Sequence, residues 1–351
     1  MNRTIIFFSL LTAGILSASG CSSSAGDTSS GSADSTSAVS RDVFAMDTFM
    51  TLKAYGENAP EALDSAVLRI EELEHELSVT DADSDIHKIN TSGGNAVEVS
   101  EDTMNILNKA VSVSSDTGGA LNICIYPVLK AWGFTADEYR IPTDSELDAL
   151  LMNTDMSEVM LSGNSAAIPA DYSIDLGALA KGYASDEITE LLRENGVTSA
   201  IISLGGNVQS LGNKPDGTEW KVSVRDPFAP DSDMCIVSIG EKAVITSGNY
   251  ERYFVGEDGK RYWHIIDPAD GHPADNGLVS VTVIGSSGME CDALSTSLFV
   301  MGYPEAVEFW RKDPHYDLIL VTDEGRIYYT PGISDSFTNI SSMPAEMISE
   351  E

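Results

Sequence analysis

Basic residues are scarce in this chain: 20 Lys and Arg stand against 55 Asp and Glu, a formal charge of -35. A polynucleotide needs a basic footprint to displace its counterions, so nucleic acid is excluded as a partner. Cysteines are few as well. Beyond Cys21 there are only Cys124, Cys235 and Cys291, an odd number with no C-x-x-C, which argues against a disulfide framework or a cysteine zinc site and leaves them as small buried apolar residues. H-E-x-x-H is absent, and His75 and His87 lie far upstream of His264, so zinc-ligand spacing is missing too. Neither G-x-x-x-x-G-K-[ST] nor G-x-G-x-x-G occurs, and without G-x-S-x-G a serine hydrolase is disfavoured. The acidic surplus has one sharper consequence. If the chain binds a phosphorylated ligand, its own field opposes that ligand, and a divalent cation is the expected bridge.

The first residues set an expected compartment. Arg3 is followed by Ile5-Ile6-Phe7-Phe8 and further apolar residues to Leu16 with no acid, the charged and apolar regions of a secretory signal, too short to span a bilayer as a helix. Leu16-Ser17-Ala18-Ser19-Gly20-Cys21 resembles the lipobox at which bacterial lipoproteins are cleaved and lipidated on the new N-terminal cysteine. Residues 22–40 are almost wholly Ser, Gly, Ala, Asp and Thr, a composition that buries no core and reads as a tether. The expected organisation is a signal peptide at 1–20, a lipidated Cys21 with its flexible tether at 21–40, and a folded body at 41–351, extracytoplasmic and held to a bacterial membrane by the lipid.

Within the body, hydrophobic residues at 42% of the chain allow a sizeable core. Apolar spacing predicts a helix over 60–77 with Leu63, Val67, Ile70, Leu73 and Leu77 inward, and a second from Ser100 burying Ile106, Leu107, Ala110 and Val111. A third runs over 179–195 with Gly196 as its C-terminal cap, and two more cover 289–301 and 304–311. Strand-like runs occupy 199–204, 220–224, 235–239, 263–266, 279–284 and 318–321. Helices come mainly first and strands mainly later. With no internal repeat and no Pro-rich linker, the fold class expected is α+β, one compact domain of mixed sheets with flanking helices.

Four constellations carry chemistry. In Asp175-Leu176-Gly177-Ala178-Leu179-Ala180-Lys181-Gly182-Tyr183, small residues at a helix start admit a close ligand; Lys181 can pair with a phosphate and Asp175 can accept from a ribose or ring N–H, or else Asp175 caps the helix and Lys181 is surface. In Glu290-Cys291-Asp292-Ala293-Leu294-Ser295-Thr296, helical spacing puts the oxygens of Asp292, Ser295 and Thr296 on one face, hard ligands suited to Mg²⁺, unless Thr296 bonds back to a helical carbonyl and Asp292 caps. Trp263-His264-Ile265-Ile266-Asp267-Pro268 reads as a strand entering a turn, with His264 or Trp263 facing a site. In the run from Ala243 to Tyr250, with Arg252 close behind, Thr246 and Ser247 reach a ligand or merely close a turn.

Taken together these pieces resemble the FAD:protein FMN transferase (ApbE) family over most of the mature chain and in the family's order. Met46-Asp47-Thr48 is similar to its M-x-T opening, and residues 78–89 to its loop ending in Asp-Ser-x-Ile/Leu. TGGALNICIYPVLKAWGF at 117–134 is similar to its T-x-G-A-F-D signature with the later Pro and Trp-Gly-Phe. The run from Asp175, Leu204-Gly205-Gly206-Asn207, Val224-Arg225-Asp226-Pro227, Thr246-Ser247-Gly248, His264 to Pro268 and Asp292 to Thr296 complete it. The resemblance implies Mg²⁺-dependent cleavage of FAD, AMP leaving and FMN passing to a Ser or Thr hydroxyl of an acceptor protein. It places FAD against Met46, the Gly119-Ala120-Leu121 backbone, Asp175, Lys181 and the His264-Ile265-Ile266 segment. It places magnesium on the Ala178 carbonyl, Asp292 and Thr296, with Ser295 beside them, and leaves His264 or Asp292 to assist the acceptor's deprotonation. Partners implied are subunits of membrane redox complexes or secreted flavoproteins. An FAD pyrophosphatase using water, or a flavin-binding lipoprotein without catalysis, are the competing readings. Two positions depart from the family: Thr80 stands where a flavin-stacking aromatic is usual, and Asn122 where Asp is usual.

Overall fold

The computed structural model describes residues 37–136 and 138–349; the expected signal peptide, Cys21 and the tether up to residue 36 lie outside the described residues. A nine-stranded sheet organises the chain. Its strands lie side by side in the order the sequence visits them: Ala38–Ala45, Thr48–Tyr55, Ala200–Leu204, Asn207–Leu211, Ala243–Gly248, Leu278–Gly285, Asp317–Thr322, Ile327–Tyr329 and Ala345–Met347. Each neighbouring pair is antiparallel except the last. Eight helices accompany it among the described residues: α1 (Ala59–Leu77), α2 (Asp85–Thr91), α3 (Glu101–Asp116), α4 (Tyr126–Trp132), α5 (Asp144–Leu151), α6 (Ala180–Glu194), α7 (Gly288–Met301) and α8 (Tyr303–Lys312).

Both faces of the sheet are covered, which is why its inner strands read as unbroken apolar runs. Along Asp317–Thr322, Leu318 and Leu320 enter the core shared with α1, α3, α6 and α7, whereas Ile319 and Val321 enter a second core on the opposite face. That second face is closed by a three-stranded sheet of Trp220–Asp226, Ala229–Ile239 and Phe337–Asn339, which contributes Trp220, Val222, Val224, Cys235 and Val237. Each such large side chain adds about 1.5–3 kcal/mol by burial. A third cluster, Val128, Trp132, Phe134, Leu147 and Ile266, underlies α4 and α5.

The α+β architecture and its single body are as expected, and so are the helices over α1, α3, α6, α7 and α8. The three cysteines are buried and free. Four details differ. Ala38 to Ser40, expected in the tether, pair with Tyr55 to Lys53 as the start of the edge strand. The described residues therefore open on a β-hairpin rather than on helices. Ala66 and Val113, rather than Val67 and Val111, complete the buried stripes of α1 and α3, because the helical phase puts them inward. The strand expected over 263–266 ends at Trp263, and Ile266 makes only an isolated bridge to Pro273, since the Ile265 carbonyl and the Asp267 N–H bond across a tight turn to Ala274 and His272.

Candidate active site

The register of the sheet brings three stretches to one end. The Met46-Asp47 turn joins Ala45 to Thr48, the Gly205-Gly206 turn joins Leu204 to Asn207, and the chain beyond Gly248 leaves the next strand at the same end. Met46 and Asp47 both have positive φ (49 and 58), a two-residue turn made without glycine. Glu74 on α1 holds it by accepting the Met46 N–H at 2.7 Å. Gly205 packs against Thr48, whose Cγ2 lies 2.7 Å from where a Cβ would sit, so the two turns touch.

Helices α6 and α7 cross beside this end. A Cβ on Gly182 would lie inside contact distance of the Gly288 carbonyl and 2.7 Å from Asp292 Cβ, and one on Gly288 would meet the Gly182 carbonyl at 2.6 Å. Only two glycines permit this approach. Asp186 fixes the crossing: its carboxylate accepts the Gly288 and Met289 N–H groups at 2.6 and 2.9 Å and the Ser287 hydroxyl at 2.9 Å, capping α7. Asp292 is therefore not a cap. It sits inside α7, 4% exposed, and its Oδ2 accepts the Gly182 N–H at 2.9 Å. In a regular helix start that N–H would bond the Ala178 carbonyl four residues back. Here, among the described residues, the Ala178 oxygen accepts no backbone hydrogen bond.

Hydroxyls complete this cluster. Ser295 is fully buried, donates to the Asp292 carbonyl at 2.9 Å and lies 2.8 Å from Ser247 Oγ, which is 3.3 Å from the half-buried Thr296 Oγ1. The back-bonding anticipated for Thr296 is made by Ser295, and Thr296 opens toward the cleft. Ser247, at its strand end, thus reaches the helix hydroxyls. Among the described residues no three Asp, Glu, His or Cys side chains gather as a metal cage. One carboxylate, one unspent carbonyl and neutral hydroxyls are an all-oxygen set, which suits Mg²⁺ that keeps waters and shares a phosphorylated substrate.

Around it lies a charged cleft. Lys181, at the start of α6, reaches within 3.4 Å of the Gly177 carbonyl, and its charge favours the ionised forms of Asp175, Glu251 and Asp292. Burial nevertheless pushes the pKa of Asp175 and Asp292 up from the ordinary carboxylate value. Asp175 Oδ1 accepts the Gly177 N–H at 2.9 Å, an Asx turn ahead of α6 rather than a helix cap. His264 is half-buried, and burial followed by the charges of Arg252 and Lys181 lowers its pKa to about 4. Its Nδ1 lies 3.2 Å from the Arg252 carbonyl, which can only accept, so Nδ1 carries the hydrogen and Nε2 is the open lone pair.

Other expected contacts are placed less directly. Gly119 follows α3 with room for a Cβ within 4 Å, and Ala120 is half-buried. The side chains of Leu121, Ile265 and Ile266 belong to the core, leaving only backbone to a ligand. Thr80 lines a cavity of about 400 Å³ with Glu71, Glu74, His75, Ser78 and Asp81, beside Met46, and no Phe, Tyr or Trp lies among them. Asn122 has a structural reason: Oδ1 accepts the Cys124 N–H and Nδ2 donates to the Thr154 carbonyl at 2.8 Å, a bond a carboxylate could not make.

Glu251 was not singled out by sequence reasoning. Its side chain is exposed, yet desolvation by the surrounding protein raises its pKa to about 7 against the charges of Lys181 and Arg225. Its place directly before Arg252 was the available signal. A carboxylate whose folded pKa exceeds its unfolded 4.5 weakens the fold as pH rises from about 4.5 to about 7. Glu251→Gln should therefore match wild type in thermal unfolding near pH 4.5 and be more stable by about 1 kcal/mol at pH 8, after discounting for its contact with water.

Comparison with known proteins bears on the whole arrangement. The ApbE family profile matches residues 46–320. An FAD:protein FMN transferase of Klebsiella pneumoniae is 36% identical over 79% of this chain and 87% of its own length, and one of Treponema pallidum is 33% identical over 78% and 80%. Among solved structures, the ApbE protein of Thermotoga maritima superposes with a TM-score of 0.78 at 30% identity, over 83% of this chain and 96% of that one. The flavin transferase ApbE of Vibrio cholerae gives 0.75 at 26% identity, over 87% and 97%.

Proposed function

The chain belongs to the ApbE family and is a flavin transferase; on that footing we propose that it transfers FMN from FAD to a Ser or Thr hydroxyl of an acceptor protein, releases AMP, and requires Mg²⁺. The observation that carries the metal requirement is the Ala178 carbonyl left without a backbone partner because Asp292 takes the Gly182 N–H. Ala178, Asp292 and Thr296 would hold the ion, with Ser295 and Ser247 fixing Thr296. When bound, Mg²⁺ supplies Lewis-acid stabilisation of charge on the pyrophosphate.

This chain's residues do the rest. Lys181 offsets the charge of Asp175, Glu251 and Asp292 and pairs with the phosphates. The acceptor oxygen attacks the phosphorus on the FMN side, the bond to the AMP phosphate breaks, and the hydroxyl proton goes to His264 Nε2. Burial keeps that ring neutral at pH 7, so its lone pair is free. Met46, the Gly119 to Leu121 backbone, Asp175 and the chain from His264 to Ile266 hold the FAD. Acceptors are subunits of membrane redox complexes or secreted flavoproteins. On our reading the protein works outside the cytoplasm, held to the membrane through Cys21.

The full chain incubated with FAD, Mg²⁺ and a candidate acceptor should add the mass of FMN to the acceptor and release AMP in equal amount, and EDTA should stop both. AMP without labelled acceptor would replace the transferase with a pyrophosphatase, and bound FAD with no AMP would leave a flavin-binding protein.

A further inference from the structure

Asn207 has no role in the scheme above. It is the first residue after the Gly205-Gly206 turn, whose positive φ values (63 and 102) and packing on Thr48 fix where the following strand begins. Two residues on, on the same face of the strand, Gln209 donates to Asp186 at 2.9 Å and meets Ser185, so this face looks onto the α6–α7 crossing. Asn207 is 4% exposed, and among the described residues no acceptor meets hydrogen-bond geometry with its Nδ2. The carboxamide faces Asp292 and favours that group's ionised form as a hydrogen-bonding neighbour, yet the approach falls short of hydrogen-bond geometry at Nδ2, and Asp292 Oδ2 already accepts from Gly182.

A buried donor without a partner costs stability, and almost all buried polar groups are paired. The oxygens delivered to this spot when the site fills are those of a phosphate sharing a metal with Asp292. We propose that Asn207 Nδ2 is a binding residue for the FAD pyrophosphate, donating to a phosphate oxygen beside the Asp292 carboxylate. The assignment rests on the reading of this cleft as the FAD site. It also accounts for the Gly205-Gly206 turn: any side chain at Gly205 would push the turn off Thr48 and carry Asn207 away from the crossing.

The test uses Asn207→Leu, similar in size and without a donor, in the full-length protein. Its ligand-free thermal midpoint should be no lower than that of wild type, because the amide makes no hydrogen bond of good geometry and a buried polar group is removed. Its affinity for FAD with Mg²⁺, read by flavin fluorescence titration, should fall about tenfold or more, as for a lost bond to a charged group. Asn207→Asp keeps the shape but sets an anion against the phosphate, and should bind FAD more weakly still. A structural asparagine would behave oppositely, with midpoint and affinity dropping together. That outcome, or wild-type affinity in both variants, overturns the assignment. If wild type itself binds no FAD, the reading of the cleft fails first, a result distinct from an unaffected variant.

Discussion

Asp292→Ala should lower acceptor labelling and AMP release together by about 1000-fold or more, the loss expected when several kcal/mol of metal-centred transition-state stabilisation is removed. The group lost is the one carboxylate of the proposed metal set, and Asp186, spent capping α7, is not free to replace it. Excess Mg²⁺ should not restore the rate. The folding consequence runs the other way. Burial raises the Asp292 pKa, so its ionised form costs the ligand-free protein stability above pH 3.8, its unfolded value. Asp292→Asn, which keeps the volume and removes the charge, should unfold no earlier than wild type at pH 7 while being as inactive as the alanine variant. A stable protein with no turnover would separate a metal ligand from a residue needed for packing. Residual transfer above about 1% of wild type would remove Asp292 from the metal set.

Gly182→Ala should be the most damaging small substitution on α6. Alanine ordinarily favours a helix over glycine by about 1 kcal/mol. Here its Cβ would be driven into the backbone carbonyl of Gly288 and to 2.7 Å from Asp292 Cβ, and backbone cannot rotate aside. Overpacking of this kind costs about 1–3 kcal/mol and occasionally more, so a net loss of about 2 kcal/mol and a fall in thermal midpoint on the order of 5 °C are expected. Activity should fall further than stability, because separating α6 from α7 breaks the Gly182 to Asp292 hydrogen bond and returns Gly182 N–H to the Ala178 carbonyl. Two of the proposed metal ligands would be lost through one methyl group. The apparent Mg²⁺ requirement, measured by titration below the unfolding temperature, should rise at least tenfold; an unchanged requirement would mean that the crossing does not set the metal site.

Much of this was legible because residue identity and local spacing were enough. Leu318 to Val321 read as a strand since both sheet faces are buried, and Asp292, Ser295 and Thr296 were assigned one face by helical spacing alone. The N-terminal hairpin was hidden because its turn is Met46-Asp47, where a two-residue turn normally advertises itself by Asn-Gly or Gly-Gly. The three-stranded sheet of Val97–Glu98, Met160–Ser162 and Ser165–Ala167 has strands too short for any period to show. In the site, what sequence could not supply was competition for single atoms. The diversion of the Gly182 N–H, the use of Ser295 rather than Thr296 to bond back into its helix, and the desolvation of Glu251 depend on segments beyond the local sequence. Asn122 looked like a lost carboxylate, and only its bond to the Thr154 carbonyl shows why an amide is required.

The strictly sequential sheet has a consequence for how such an enzyme can diversify. Residues 212–242, 249–277 and 286–316 each leave one strand and return on its immediate neighbour. Each is a closed excursion, tied at its base by ladder hydrogen bonds, whose entropy grows only as the logarithm of its length. The 249–277 excursion supplies Glu251, Arg252 and His264 to the cleft, while the 286–316 excursion supplies Asp292 and Thr296. One excursion can therefore be lengthened or exchanged as a cassette without rethreading the sheet or disturbing the excursion that carries Asp292 and Thr296.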